Sequence, residues 1–197
     1  VAGRLLDLSV PKVMGVLNIT PDSFYSGSRI TGEKEIIRIA GDMLEDGADI
    51  LDIGGYSSRP GAGDVPPEEE KRRALNAICL IHREFPDAIL SIDTFRSDIA
   101  YEAITSCGAS MINDISGGEA DKNMFITIQS LNVPYIMMHM KGKPENMQNN
   151  PVYDDVVAEI LQWLSERIMK LRSAGVKDII IDPGFGFGKT IKHNFEL

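Results

Sequence analysis

The sequence predicts an α/β protein of the (β/α)8 TIM-barrel type, cut short after about six β-strands. Three observations point there. Short apolar runs alternate with longer amphipathic segments along the 197 residues. The apolar runs are continuous rather than alternating, as in strands buried on both faces of a parallel sheet. One local pattern also recurs: "DGADILDIGG", "CGASMINDIS" and "AGVKDIIIDPG" each end a helix with glycine, cross a short link and enter a strand with Asp or Asn near its C-terminal end. In a (β/α) barrel such strand ends surround the active site. A doubly wound open sheet fits the same alternation and stays open as a second architecture.

The strands are read at 13–19, 49–55, 88–94, 110–116, 134–140 and 178–183. Between the first two, "GEKEIIRIAGDMLEDG" puts Ile36, Ile37, Ala40, Met43 and Leu44 on one helical face. The next helix, "PPEEEKRRALNAICLIHREF", opens with proline and three glutamates, which suits the positive end of the helix dipole. "RSDIAYEAITSCG" and "VYDDVVAEILQWLSERIMKLRSAG" are amphipathic; Ala120 to Leu131 is a weaker helix. Gly47, Gly108 and Gly175 fit helix C-cap positions. The "EEE" and "KRR" runs at 68–73 pair at helical spacing and read as a solvated face. Trp163 reads as packing.

Composition sets outer bounds. Length suits one domain, residues 1–197, with a substantial core. Apolar content of 43% and charged content of 25% are ordinary for a globular chain. A net charge of −9 argues against broad nucleic-acid binding or an anionic membrane surface, but not against a small anionic ligand. No apolar run is long enough to predict a membrane span, and the start shows no signal-peptide pattern. Cys79 and Cys107 lie in apolar helical contexts and read as buried reduced thiols, which fits a cytosolic compartment.

"IDPGFGFGKT" at 181–190 invites a nucleotide-binding reading and then refuses it. A Walker A loop needs glycine five residues before Gly188, where Pro183 stands with φ fixed and no N–H to donate. The dinucleotide spacing also fails, because its third glycine would fall on Lys189. These glycines serve some other purpose, next to a strand that ends in Asp182.

Strand ends supply Asn18, Asp52, Asp93, Asn113, Asp114, His139 and Asp182. Each alone can cap a helix or tie a loop. Together in a barrel they would ring one cavity, and clustered acids there need a ligand or cation to answer them. A flat heterocycle rich in N–H donors suits such a ring, since a carboxylate accepts two parallel hydrogen bonds and an Asn offers both a donor and an acceptor. The loops 18–29 and 54–69 are long and rich in small residues. Each is either a binding loop for an anionic group or a plain flexible connection. His139, alone on an apolar strand, reads first as a hydrogen-bonded structural residue.

The motifs "LNITPDSF", "DIGGYSSRPGA", "SIDTFR", "INDISGG", "MHMKGKPENMQ" and "IDPGFGFGKT" follow in that order. Together they closely resemble the dihydropteroate synthase family of pterin-binding barrels, from about Val13 to Lys189. The resemblance implies a magnesium-dependent transferase of folate biosynthesis, a sulfonamide target. It would join p-aminobenzoate to 6-hydroxymethyl-7,8-dihydropterin diphosphate. By the same resemblance Asp93, Asn113, Asp182 and Met138 bind the pterin, and Asp93 and Arg59 act in catalysis. Ser58 and Arg59 contact the diphosphate or order its loop. Phe24, Pro60 and Phe187 wall the p-aminobenzoate pocket, and Asn18 binds Mg²⁺. Ser58 stands where the family usually has threonine, and Tyr56 where many members have glutamate.

The resemblance further implies a cytoplasmic enzyme with small-molecule substrates, no nucleic-acid or membrane partner, and a homodimer at full length. Lysine, arginine and histidine from a seventh and eighth strand cannot be assigned here, so the chain as given is expected to be impaired. Two rivals remain: a methyltetrahydrofolate-binding methyltransferase domain, and a non-catalytic pterin-binding fragment.

Overall fold

The computed structural model describes residues 1, 3, 5–19, 29–56, 65–142 and 146–197, with side chains in the first helix from residue 32 onward. Strands and helices alternate throughout. In order they are β1 (Met14–Asn18), α1 (Arg29–Glu45), β2 (Ile50–Gly54), α2 (Pro67–Glu84), β3 (Ile89–Asp93), α3 (Ser97–Ser106), β4 (Met111–Asp114), α4 (Met124–Leu131), β5 (Tyr135–Met138), α5 (Val156–Ser173), β6 (Ile179–Asp182) and α6 (Ile191–Glu196). The strands follow one another in the sheet in chain order. β1 pairs with β2, β2 with β3 and β5 with β6, all parallel. A doubly wound sheet reverses its strand order at a switch point. This one does not, so the barrel-type succession stands and the doubly wound alternative falls.

The chain divides into two compact units, the boundary falling inside β4 between Ile112 and Asn113. The first holds β1–β3, α1, α2 and most of α3. Its core is made where the helices meet the sheet: Ile36 and Ala40 of α1, Ala74, Ala77, Ile78 and Ile81 of α2, Leu51, Ile53, Leu90 and Ile92 of the strands, all fully buried. Each buried Ile or Leu contributes on the order of 2 kcal/mol. The helix ends foreseen at Gly47 and Gly108 have φ of 101° and 90°, the left-handed conformation that closes a helix without a Cβ penalty.

Two expectations need correction in this unit. The charged run at the start of α2 is only partly a solvated face. Glu69 does pair with exposed Arg72 at 2.8 Å and with buried Arg73 at 2.7 Å, and these guanidinium bonds hold its pKa down to about 2. Glu70, however, is fully buried, and its Oε1 accepts from Thr94 Oγ1 at 2.6 Å. Positions 70, 74, 77 and 81 share one helical face, so the third residue of a charged run turns inward with the apolar ones. The second correction concerns the cysteines. Cys79 of α2 and Cys107, just past α3, are joined in a disulfide, with Cα atoms 4.5 Å apart. Neighbouring helices bring together two thiols that lie 28 residues apart in sequence.

The second unit carries Asn113 onward, with Phe95–Ser97. α5 buries Val156, Ile160, Leu164 and Leu171. Asp155 caps it, its side chain accepting from the Ala158 amide at 2.9 Å, and Lys170 and Arg172 in the last turn complement the dipole. α4 begins only at Met124, later than the expected Ala120, because the Asp121 carboxylate takes the Ser97 and Asn123 amides at 2.8 and 2.9 Å and holds a turn there. α6 opens with a capping box: Thr190 Oγ1 accepts from the His193 amide and His193 Nδ1 from the Thr190 amide, each at 3.2 Å. Among the described residues no helix is long and apolar enough to cross a membrane.

Candidate active site

In the first unit the site is built by strand register. Asn18, Gly54 and Asp93 end β1, β2 and β3 as register partners. A Cβ on Gly54 would lie 3.1 Å from Asn18 Oδ1 and 3.2 Å from Asp93 Oδ2. The carboxamide and carboxylate oxygens therefore converge over a position that only glycine leaves open. Asp52 does not belong to this group: it sits mid-strand, buried, in register with buried Ser91. Strand-end spacing had placed it with the ring; its actual position is one layer deeper.

In the second unit Asp182 closes β6 in register with Met138 of β5. The Gly184 amide donates to Asp182 Oδ1 at 2.7 Å, which fixes the carboxylate's orientation. Asn113 and Asp114 end β4 with opposite fates. Asn113 is half-buried. Asp114 is buried and saturated: the Ser116 amide, Ser116 Oγ, the Gly118 amide and Tyr135 OH all donate to it at 2.7–2.8 Å. Burial pushes its pKa up, against those donors. Asp114 is thus a turn-tying residue and leaves the ligand ring. Met138 packs with Ile115, Met140 and Met147 in a buried cluster, against which Phe187 and Phe95 lie. Two residues foreseen in different subsites, Met138 and Phe187, share this cluster. Phe24, Ser58, Arg59 and Pro60 lie outside the described residues.

The loop after Asp182 answers the question its glycines raise. Gly184 and Gly188 have φ of 71° and 60°. A Cβ at Gly184 would sit 2.0 Å from the His139 carbonyl oxygen, and one at Gly188 2.5 Å from that of Lys141. The glycines let this loop lie directly on the chain leaving β5. Its interior is filled by its own lysine. Lys189, 3% exposed, donates from Nζ to the carbonyls of Gly184 at 2.8 Å, Phe187 at 2.9 Å and His139 at 3.3 Å. A phosphate cradle turns amide N–H groups inward to an anion. This loop turns carbonyls inward to a cation.

His139 Nδ1 lies 3.2 Å from the same Nζ, and its ring stands edge-on to Trp163 at 5.0 Å. Burial first, and then the Lys189 charge, hold its pKa down to about 4. A neutral imidazole can accept from the ammonium at Nδ1, and this leaves the proton on Nε2. Burial lowers the Lys189 pKa to about 8, so the ammonium form prevails at pH 7. Trp163 does more than pack: its Nε1 donates to Glu119 at 3.2 Å and its face carries the Arg167 guanidinium at 3.6 Å.

A succession of parallel β-α units with acids and amides at the strand ends defines the class as a (β/α) barrel-type protein. Comparison with known proteins narrows it. Residues 14–197 match the pterin binding enzyme family, and the chain belongs to that family. Its relatives include dihydropteroate synthases. The Haemophilus influenzae dihydropteroate synthase is 41% identical, with 98% of this chain aligned to 70% of that protein. The folic acid synthesis protein fol1 of Pneumocystis carinii is 42% identical over 94% of this chain, which spans 25% of that longer protein. The Xanthomonas albilineans dihydropteroate synthase superimposes with a TM-score of 0.88 in its complex with 4-aminobenzoic acid, at 42% identity over 100% of this chain and 69% of its own. With 7,8-dihydropteroate bound, the values are 0.84, 39%, 100% and 69%.

Proposed function

We propose that the protein is a dihydropteroate synthase, joining p-aminobenzoate to 6-hydroxymethyl-7,8-dihydropterin diphosphate to form 7,8-dihydropteroate and diphosphate. The observation that carries the reading is the convergence of the Asn18 and Asp93 oxygens over Gly54. It sets an acid able to answer positive charge beside an amide oxygen suited to a metal–diphosphate pair. The ligands seen in the Xanthomonas enzyme, 4-aminobenzoic acid and 7,8-dihydropteroate, support the choice of substrates.

Each residue then has a role. Asp182 accepts from the amino-pyrimidinone edge of the pterin, using the oxygen that Gly184 does not hold. Asn113 pairs with another part of that edge, and Met138 packs against the ring. The bond from the pterin methylene to the diphosphate oxygen breaks, and the electron pair leaves with diphosphate. Asp93 stabilises the positive charge that spreads from the methylene carbon into the pterin. The aromatic amine is neutral near pH 7, so it attacks that carbon without a dedicated base and releases its proton to solvent. Phe187, with Phe24 and Pro60, walls the p-aminobenzoate ring, and Ser58 and Arg59 hold the diphosphate. Positioning and electrostatics supply most of the barrier reduction.

Magnesium fits this donor set in one way. Among the described residues no group of three His, Cys, Asp or Glu could hold a metal ion. The Asn18 oxygen could bind one shared with the substrate's phosphates, as magnesium commonly is. The ion's contribution when bound would be to neutralise charge on the diphosphate. A cytoplasmic location and a homodimeric assembly belong to the same proposal, on the strength of the family resemblance.

The test is calorimetric titration with the pterin diphosphate, with and without Mg²⁺, for the wild type and Asp182→Asn. Saturable binding that the variant weakens at least about tenfold is expected, since a charged acceptor is replaced by a neutral amide. Equal binding by both removes Asp182 from the site. Failure of the full-length protein to form dihydropteroate in a product assay overturns the activity itself.

A further inference from the structure

We infer that Lys189 is a positioning residue for the reaction: its ammonium sets where the loop after β6 presents Asp182 and Phe187. This rests on the proposed synthase function. The argument begins with cost. An ammonium this deeply buried is unfavourable unless its donors are met. Here they are met by the carbonyls of Gly184, Phe187 and His139, with His139 Nδ1 also at 3.2 Å.

Each of these carbonyls sits within two residues of a group given a substrate role. Gly184 is the residue whose amide fixes Asp182 Oδ1. Phe187 is itself the aromatic wall. His139 follows Met138, and Met138 and Phe187 share one apolar cluster. A single side chain therefore ties the pterin acid, the p-aminobenzoate wall and the exit of β5 to one point. Within the loop the Phe187 amide also donates to the Gly184 carbonyl at 3.1 Å; the loop's tethers to other parts of the chain act elsewhere. Tyr153 OH donates to the Gly188 carbonyl at 2.9 Å, Asn194 Oδ1 accepts from the Gly186 amide at 2.7 Å, and the Gln148 side-chain amide donates to the Gly186 carbonyl. Removing the ammonium leaves the loop anchored to other parts of the chain at Gly186 and Gly188, while Gly184 and Phe187 keep only their short-range bonds to Asp182 and to each other.

The chemistry predicts a particular kinetic signature. A lysine needed only for folding would, when lost, lower the amount of active enzyme, so apparent kcat would fall while both KM values stayed put. A lysine that positions the wall should act on p-aminobenzoate binding.

The experiment compares wild type, Lys189→Met and Lys189→Gln in the full-length protein. The Met variant removes charge and donors at similar length. The Gln variant keeps two N–H donors, and it carries the same test should the Met variant fail to fold. Expected for Lys189→Met is a rise in KM for p-aminobenzoate of at least about tenfold, with kcat changed less than about threefold. Lys189→Gln should lie between it and wild type. Hydrogen exchange of the 183–189 peptide should quicken in both variants. An unchanged KM for p-aminobenzoate overturns the inference, as does unchanged exchange in this peptide. If wild type makes no dihydropteroate, the synthase reading fails, and unchanged exchange would then dispose of the anchoring role separately.

Discussion

The Nζ of Lys189 and Nδ1 of His139 lie 3.2 Å apart, and both side chains are buried. Neither group can gain a proton without consequence for the other. The pair links the fold's stability to pH on two sides.

His139 has a folded pKa near 4, below its ordinary 6.5, through burial and then the charge of Lys189, with Arg167 and Lys141 adding in the same direction. Between those values the unfolded chain binds a proton that the folded chain refuses. Its contribution is therefore complete above about pH 6.5 and is lost as pH falls toward 4. Lys189, held near 8 against an ordinary 10.5, behaves alike on the alkaline side: stability rises as pH climbs through that window. Urea denaturation at pH 7 and pH 5 should show a lower midpoint at pH 5. The drop should shrink in His139→Gln, which keeps an acceptor but does not titrate. An equal drop in both proteins would assign the acid loss elsewhere.

Gly54→Ala tests the convergence of Asn18 and Asp93. The added Cβ would stand 3.1 and 3.2 Å from their oxygens. The two side chains can swing aside more readily than the sheet can move, so the stability cost should be about 1 kcal/mol or less, the low end for overpacking. Displacing both oxygens should nonetheless lower kcat/KM for the pterin diphosphate at least about tenfold. A variant with wild-type kcat/KM would show that neither oxygen needs its present position.

Thr94→Val tests the buried end of α2. It removes the hydroxyl that donates to Glu70 Oε1 at 2.6 Å without changing side-chain shape. Depriving a buried carboxylate oxygen of a donor should cost about 1–3 kcal/mol, read as a lower denaturation midpoint with unchanged slope. No change would mean that Glu70 draws its support from other partners.

These residues also mark how far the sequence could be read. Asn18, Asp93 and Asp182 were legible as strand ends because each closes an apolar run. Asp114 has the same sequence signature, yet it faces its own turn and Tyr135. Which way a strand-end acid points depends on the neighbouring glycines, whose backbone path no periodicity encodes. Lys189 was visible only as the lysine of a failed Walker motif. Its meaning lies in three carbonyls, and carbonyl directions are a property of the folded loop. Glu70 was hidden inside a charged run because charge alone does not say which helical face a residue takes.

The Cys79–Cys107 disulfide gives the last prediction, and it bears on where the protein works. The bridge closes a loop of 28 residues between α2 and the end of α3. Restricting the unfolded chain to that loop should stabilise the fold by about 3–4 kcal/mol on the chain-entropy account. Reduced protein, or Cys79→Ala, should therefore unfold at a clearly lower urea concentration than oxidised protein. Cys107→Ala should match Cys79→Ala, since either change removes the same link. Disulfides persist in oxidising compartments and are rare where thiols are kept reduced, which sets this bond against the proposed cytoplasmic location. Mass spectrometry of intact protein, alkylated without reductant immediately on cell lysis, separates the cases. Two alkyl groups would mean that the cell holds the thiols reduced and that the bond forms on oxidation. None would mean that the bond is present in the cell, and the cytoplasmic assignment would have to be given up or an oxidising step found.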